Sequence, residues 1–100
     1  MIAHQAALDE MFRGLVVPSA ASWREGALKL KTAPLHRGTL PNDPKLTRSI
    51  LAIETRVHQE ASRALKADNP STRATIYADL ITQCAGCHSL HRKVWGPASR

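Results

Sequence analysis

The stretch Cys84-Ala85-Gly86-Cys87-His88 is the one around which this sequence is organised. Its cysteines are the only two in the chain, and a histidine directly follows the second. Apolar and motif residues recur at three- and four-residue spacing over residues 71–93, which predicts that the pentapeptide lies on a helix, near its C-terminal end. The predicted inward face comprises Ala74, Tyr77, Leu80, Ile81, Cys84, Cys87 and His88.

The pentapeptide has the C-x-x-C-H spacing by which a c-type haem is attached. Each thiol can add to one haem vinyl group, and the adjacent imidazole can bind the iron as its proximal axial ligand. A thioredoxin-like dithiol would need a preceding strand, and none is predicted. A zinc site would need a second ligand pair at finger-like spacing, which His36 and His58 do not supply. A structural disulfide is the remaining alternative. The sequence therefore predicts one covalent haem c on Cys84 and Cys87, with His88 proximal.

Three more helices are predicted before this one. A connection over residues 34–43 contains two prolines and a glycine, which exclude regular structure. Asp43 and Pro44 then provide an N-cap and a first helical residue. The turn Asp68-Asn69-Pro70-Ser71 signals the start of the last helix. Four helices with no strand signal predict an all-α, antiparallel up-down-up-down four-helix bundle, a single c-type cytochrome domain over residues 1–100. The predicted helices cover residues 2–17, 19–33, 44–67 and 71–93.

Apolar spacing also predicts which side chains form the core. Met11 and Phe12 are expected in the core, and Leu35 and Leu40 are expected to cover apolar surface from the long connection. The apolar period of the first helix comprises Ala6, Ala7, Leu8, Met11, Phe12, Leu15 and Val16. The third helix has an apolar stripe made of Leu46, Ile50, Ile53, Val57, Ala61, Ala64 and Leu65. Its predicted solvent side is made of Arg48, Glu54, Arg56, Gln59, Glu60 and Arg63.

The sixth iron ligand is predicted from heights along such a bundle. His88 lies about 25 Å above the start of its helix. Counting the same distance along the neighbouring helices reaches the chain start and the 34–43 connection. We expect His4 as the distal ligand, because the first helix should lie opposite the fourth. His36 and Met1 are alternatives, as is an open site, whereas Met11 and His58 lie about 10 Å lower.

Charge and composition limit the partners. The formal net charge is +6, which favours an acidic redox partner. The basic residues are scattered and no nucleic-acid motif is present, so nucleic-acid binding is not expected. No stretch reaches the ~20 apolar residues of a membrane span. No signal peptide is seen, although haem c is attached outside the cytoplasm. We therefore expect a periplasmic or other extracytoplasmic location, with the signal outside this chain.

The stretch from Tyr77 to Lys93 resembles the class II cytochromes c, the cytochrome c prime and cytochrome c556 group. Those proteins are four-helix bundles with the haem motif near the end of the last helix. A basic residue follows the motif histidine by four positions, as Arg92 does here, and the resemblance implies that Arg92 lies beside the haem. The usual distal position is apolar in one subgroup and Met in the other, so a distal His4 departs from both. This chain is also a few tens of residues shorter.

The expected function is one-electron transfer by a small cytochrome that has no catalytic role, because no carboxylate pair, nucleophile–base arrangement or phosphate loop is present. A gas-binding or sensing haem protein with an open distal site is the second hypothesis. A helical interaction domain without haem is the third. A homodimer formed through the first two helices is also open.

Overall fold

The computed structural model describes residues 2–35, 40 and 42–95. These residues form four helices and no strand, which confirms the all-α prediction. Each predicted helix end lies within one turn of the observed one. The helices are α1 (Ile2–Val16), α2 (Ala20–Thr32), α3 (Pro44–Ala64) and α4 (Pro70–Trp95).

Side-chain caps fix where three of the helices begin. The Ser19 hydroxyl accepts a hydrogen bond from the backbone N–H of Ser22 at 3.2 Å, at the start of α2. Asp43 caps α3 with Pro44 as the first helical residue, as predicted. The Asn69 side chain accepts from the N–H of Thr72 at 2.9 Å, at the start of α4. These oxygens satisfy backbone donors that have no partner inside the helix.

Helices α1 and α2 approach each other closely through two glycines. A Cβ atom on Gly26 would lie 2.6 Å from the carbonyl oxygen of Ala7, and it would also meet Met11. A Cβ atom on Gly14 would lie 2.5 Å from the backbone nitrogen of Trp23. Only hydrogen fits at either position, so the two backbones come closer than any side chain would allow. This contact fixes how far α1 is shifted along α2.

Two long-range hydrogen bonds join α2 to α3 and α4 to α1 around the core. The Trp23 indole N–H donates to the carbonyl oxygen of Ala64 at 2.8 Å, and the bond is buried. The Tyr77 hydroxyl donates to the carbonyl oxygen of Leu8 at 3.3 Å, joining α4 to α1. The core between them is built from all four helices and from Ala67 beyond α3: Ala7, Leu8, Met11, Trp23, Ala27, Leu30, Val57, Ala61, Ala64, Ala67, Ile76 and Leu80.

The outer sides of α1 and α4 differ from the prediction. Met11 is fully buried as expected, but Phe12 is 53% exposed and Val16 is 61% exposed. The Phe12 ring lies against the outer edge of the core, with its centroid 6.0 Å from that of Tyr77. Among the described side chains of α4, Ile76 and Leu80 are buried, whereas the predicted Ala74 and Ile81 face outward. On both helices the buried stripe leaves out apolar residues that the spacing includes, and on α4 it contains Ile76, which the predicted face lacks.

The apolar stripe of α3 agrees with the prediction. All seven of its residues are buried or partly buried. Two carboxylates on the predicted solvent side, Glu54 and Glu60, are only partly exposed.

None of the described helices is long and apolar enough to cross a membrane.

Candidate functional site

A small cleft brings the pentapeptide together with the start of the chain. Four parts of the chain contribute to it: α1, the segment after α2, α3 and α4. Its volume is about 20 Å³, which is room for about one water molecule. A flat cofactor would therefore enter only if these walls move apart. The lining residues are His4, Leu35, Ile53, Val57, Cys84, Cys87 and His88.

The pentapeptide lies where the buried face of α4 reaches the edge of the core. Cys84 is one turn beyond Leu80 and packs against the core cluster. Cys87 is partly buried, and His88 is exposed although it lines the cleft. Burial raises the pKa of both thiols, with a smaller contribution to Cys87 from the Glu54 carboxylate. The sulfurs therefore stay protonated near neutral pH, unlike those of an activated dithiol.

His4 enters the cleft from α1 and is 7% exposed. Its Nδ1 atom is buried and has no hydrogen-bond partner among the described residues. Burial lowers its pKa, and nearby positive charge, that of His88 included, lowers it further. The imidazole is therefore neutral, which is the form that binds metals. A buried polar atom without a partner costs about 1–3 kcal/mol, and a ligand that binds it would remove that cost.

Met11 and His58, which were expected below the haem level, do not line this cleft. Met11 is fully buried below it. His58 is partly buried, with its Nε2 atom 2.7 Å from the carbonyl oxygen of Ala33, so it is a boundary histidine as expected. Met1 and His36 lie outside the described residues. Arg92 belongs to α4, but its side chain lies outside what the structure describes, so its predicted place beside a haem is not tested.

One residue of this region was assigned to the wrong side of its helix. Glu54 was predicted to face solvent, yet its Oε2 atom accepts a hydrogen bond from the backbone N–H of Leu35 at 2.9 Å. Leu35 itself packs against the core, as predicted for an apolar residue in the connection. Glu54 directly follows Ile53 of the apolar stripe, and this position at the stripe's edge was the available signal.

The cleft does not offer a ready-made site for a bare metal ion. Within the described ranges, no three His, Cys, Asp or Glu side chains come close enough together to hold one. A haem makes a different demand, because the thiols bond to its periphery while the imidazoles bind its iron. The residues present fit that demand, since both thiols, His88 and the partnerless His4 line one cleft.

Comparison with family models, curated proteins and solved structures found no match to this chain.

Proposed function

We propose that this chain is a small c-type cytochrome that transfers single electrons. Cys84 and Cys87 would hold one covalent haem c, with His88 as proximal and His4 as distal iron ligand. One observation carries the proposal. A buried imidazole from the first turn of α1, lacking any partner for Nδ1 within the described part of the chain, lines the same cleft as a C-x-x-C-H motif 80 positions later.

Each residue has a definite task in this proposal. Cys84 and Cys87 would hold the haem covalently, each thiol adding its S–H across one vinyl C=C bond, with the sulfur on one carbon and the proton on the other. The neutral imidazoles of His4 and His88 would each hold the iron through a nitrogen lone pair. Leu35, Ile53 and Val57 keep water from the site. When bound, the haem supplies an iron that alternates between Fe(II) and Fe(III).

The architecture that we propose is the antiparallel up-down-up-down bundle of the class II cytochromes c. Support comes from the order of contacts between the first two helices. Gly14 approaches Trp23, whereas the earlier residue Ala7 approaches the later residue Gly26. Contacts that run in opposite sequence order are those of antiparallel neighbours. A distal histidine would separate this protein from typical members of that group.

The proposed partner is an acidic redox protein, because two ionised propionates would leave about +4 of the formal +6 charge. The proposed location is the periplasm or another extracytoplasmic space, where haem c is attached. A homodimer remains a second proposal. It is supported by exposed apolar side chains on α1 and α2, namely Phe12, Val16 and Leu28.

Expression alongside the bacterial haem c attachment machinery tests the function. We expect a denaturing gel to show covalently bound haem, which is lost in a Cys84→Ala, Cys87→Ala double variant. The ferrous spectrum should be low-spin and unchanged by carbon monoxide, because both axial positions are taken. A five-coordinate spectrum that shifts with carbon monoxide would support the gas-binding alternative. A chain that never acquires haem would support a haem-free interaction domain.

A further inference from the structure

Two side chains of α3 hold the segment that follows α2. The Glu54 carboxylate accepts the backbone N–H of Leu35 at 2.9 Å, and the His58 ring contacts the carbonyl oxygen of Ala33 at 2.7 Å. A carbonyl oxygen can only accept, so His58 Nε2 carries a proton and donates it. Both bonds are partly buried. The segment is therefore bound to α3 through two of its backbone groups, at Ala33 and at Leu35.

The same stretch of α3 also forms a wall of the cleft. Ile53 and Val57 line it, and Glu54 and His58 are the residues that directly follow them. Leu35, which Glu54 holds by its backbone, is a further lining residue and packs against the core. One helix therefore supplies part of the apolar wall and also positions the rest of it.

Glu54 has a second relation to the cleft. Its carboxylate accepts the backbone N–H of Leu35, a residue that lines the cleft, so its negative charge lies at the cleft wall. A negative charge at that wall would stabilise the oxidised iron, since Fe(III) carries one more positive charge than Fe(II). Apolar cover from Leu35 would act in the opposite direction, because water stabilises the more highly charged state.

We propose that Glu54 and His58 are positioning residues of the haem site, which hold Leu35 over the cleft and so set the reduction potential. This proposal rests on the proposed function. His58 acts through the cover alone. Glu54 acts through both the cover and its charge, so removing its charge alone and removing the cover alone should shift the potential in opposite directions.

The test is spectroelectrochemical titration of the haem-loaded protein. His58→Ala should release the segment, admit water and lower the midpoint potential. His58→Gln offers an amide N–H to the same carbonyl oxygen and should restore the wild-type value. Glu54→Gln keeps an oxygen for the Leu35 N–H but loses the charge, so it should raise the potential. Each shift should change the reduced-to-oxidised ratio at least twofold at a fixed solution potential.

Glu25→Gln is the matched control, because it removes one negative charge from an exposed site on α2. The proposal is overturned if Glu54→Gln moves the potential no more than this control does. It is also overturned if His58→Ala and His58→Gln behave alike. If His58→Ala does not fold, the cover is tested by comparing Glu54→Ala with Glu54→Gln, because both lose the charge and only the alanine loses the hydrogen bond to Leu35; equal potentials would overturn the proposal. A wild-type chain without haem overturns the proposed function and this inference together, whereas a haem-loaded chain with unmoved potentials overturns the inference alone.

Discussion

Replacing His4 by leucine should have opposite consequences for the haem-free and haem-loaded protein. In the haem-free fold, Nδ1 of His4 is buried with no partner among the described residues, and such an atom costs about 1–3 kcal/mol. Leucine has a similar volume and no polar atom, so little repacking is needed. We expect His4→Leu to stabilise the haem-free chain by about 1 kcal/mol. In the haem-loaded chain it would remove the proposed distal iron ligand.

The pH dependence sharpens this prediction. Burial lowers the folded-state pKa of His4 below its ordinary value of 6.5. As the pH falls below 6.5, the unfolded imidazole takes up a proton while the folded one does not, so stability is lost until the folded pKa is reached. The stability difference between His4→Leu and wild type should therefore widen between pH 7.5 and pH 5.5.

Urea denaturation followed by circular dichroism measures the haem-free effect, and the ferrous spectrum with carbon monoxide measures the haem-loaded one. Gln5→Leu is the control, since position 5 is exposed on the same helix. It should change neither quantity. The reasoning is refuted if His4→Leu destabilises the haem-free chain and leaves the haem-loaded spectrum unchanged. An unchanged spectrum alone would shift the distal assignment to His36.

Three further experiments test the fold and the cysteine anchors. Gly26→Ala should lower the free energy of unfolding in urea by about 1–3 kcal/mol, because its Cβ would overlap the Ala7 carbonyl oxygen. Gly86→Ala in the haem-free chain, where nothing lies within 4 Å of the added Cβ, should instead raise it by up to about 1 kcal/mol through helix propensity. Equal losses in the two variants would contradict this. Trp23→Phe should cost about 0.5–1.5 kcal/mol by removing the buried indole hydrogen bond to the Ala64 carbonyl oxygen, which keeps the N–H of Ala67 as its other donor; an unchanged urea midpoint would mean that the indole bond contributes nothing. In the haem-free chain Cys84 and Cys87 should react with iodoacetamide more slowly at pH 7.5 than a free cysteine, because burial raises the pKa of both thiols; fast modification would show that the pentapeptide is open.

Local signals predicted the helices well. Asp43-Pro44 and Asn69-Pro70 mark helix starts by chemistry that acts within a few residues, so no tertiary knowledge was needed. The apolar stripe of α3 was correct because it packs on the core along its length. Height counting along ideal helices placed His4 near the pentapeptide, and both line the observed cleft.

The errors arise where tertiary packing decides. The pattern of α1 includes Phe12 and Val16, but close contact with α2 turns Ala7 and Met11 inward and leaves those two outside. Ile76 was not predicted to be buried, because apolar residues of α4 fit more than one helical face. The spacing alone does not show that the face through Ile76, Leu80 and Cys84 is the inward one. For Glu54 the only signal is its position at the edge of the α3 stripe, because its partner is a backbone N–H, which side-chain spacing does not identify.

The close approach at Gly26 bears on how this protein can change over evolution. Ala7 and Met11 rest against that glycine, and His4 lies one turn before Ala7 on the same rigid helix. The position of the His4 imidazole along the bundle therefore depends on Gly26, a residue of another helix that has no side chain. In diverging relatives a larger residue at position 26 should be accompanied by loss or relocation of the histidine at position 4. Covariation between a glycine and a histidine that never touch would then record where the ligand belongs.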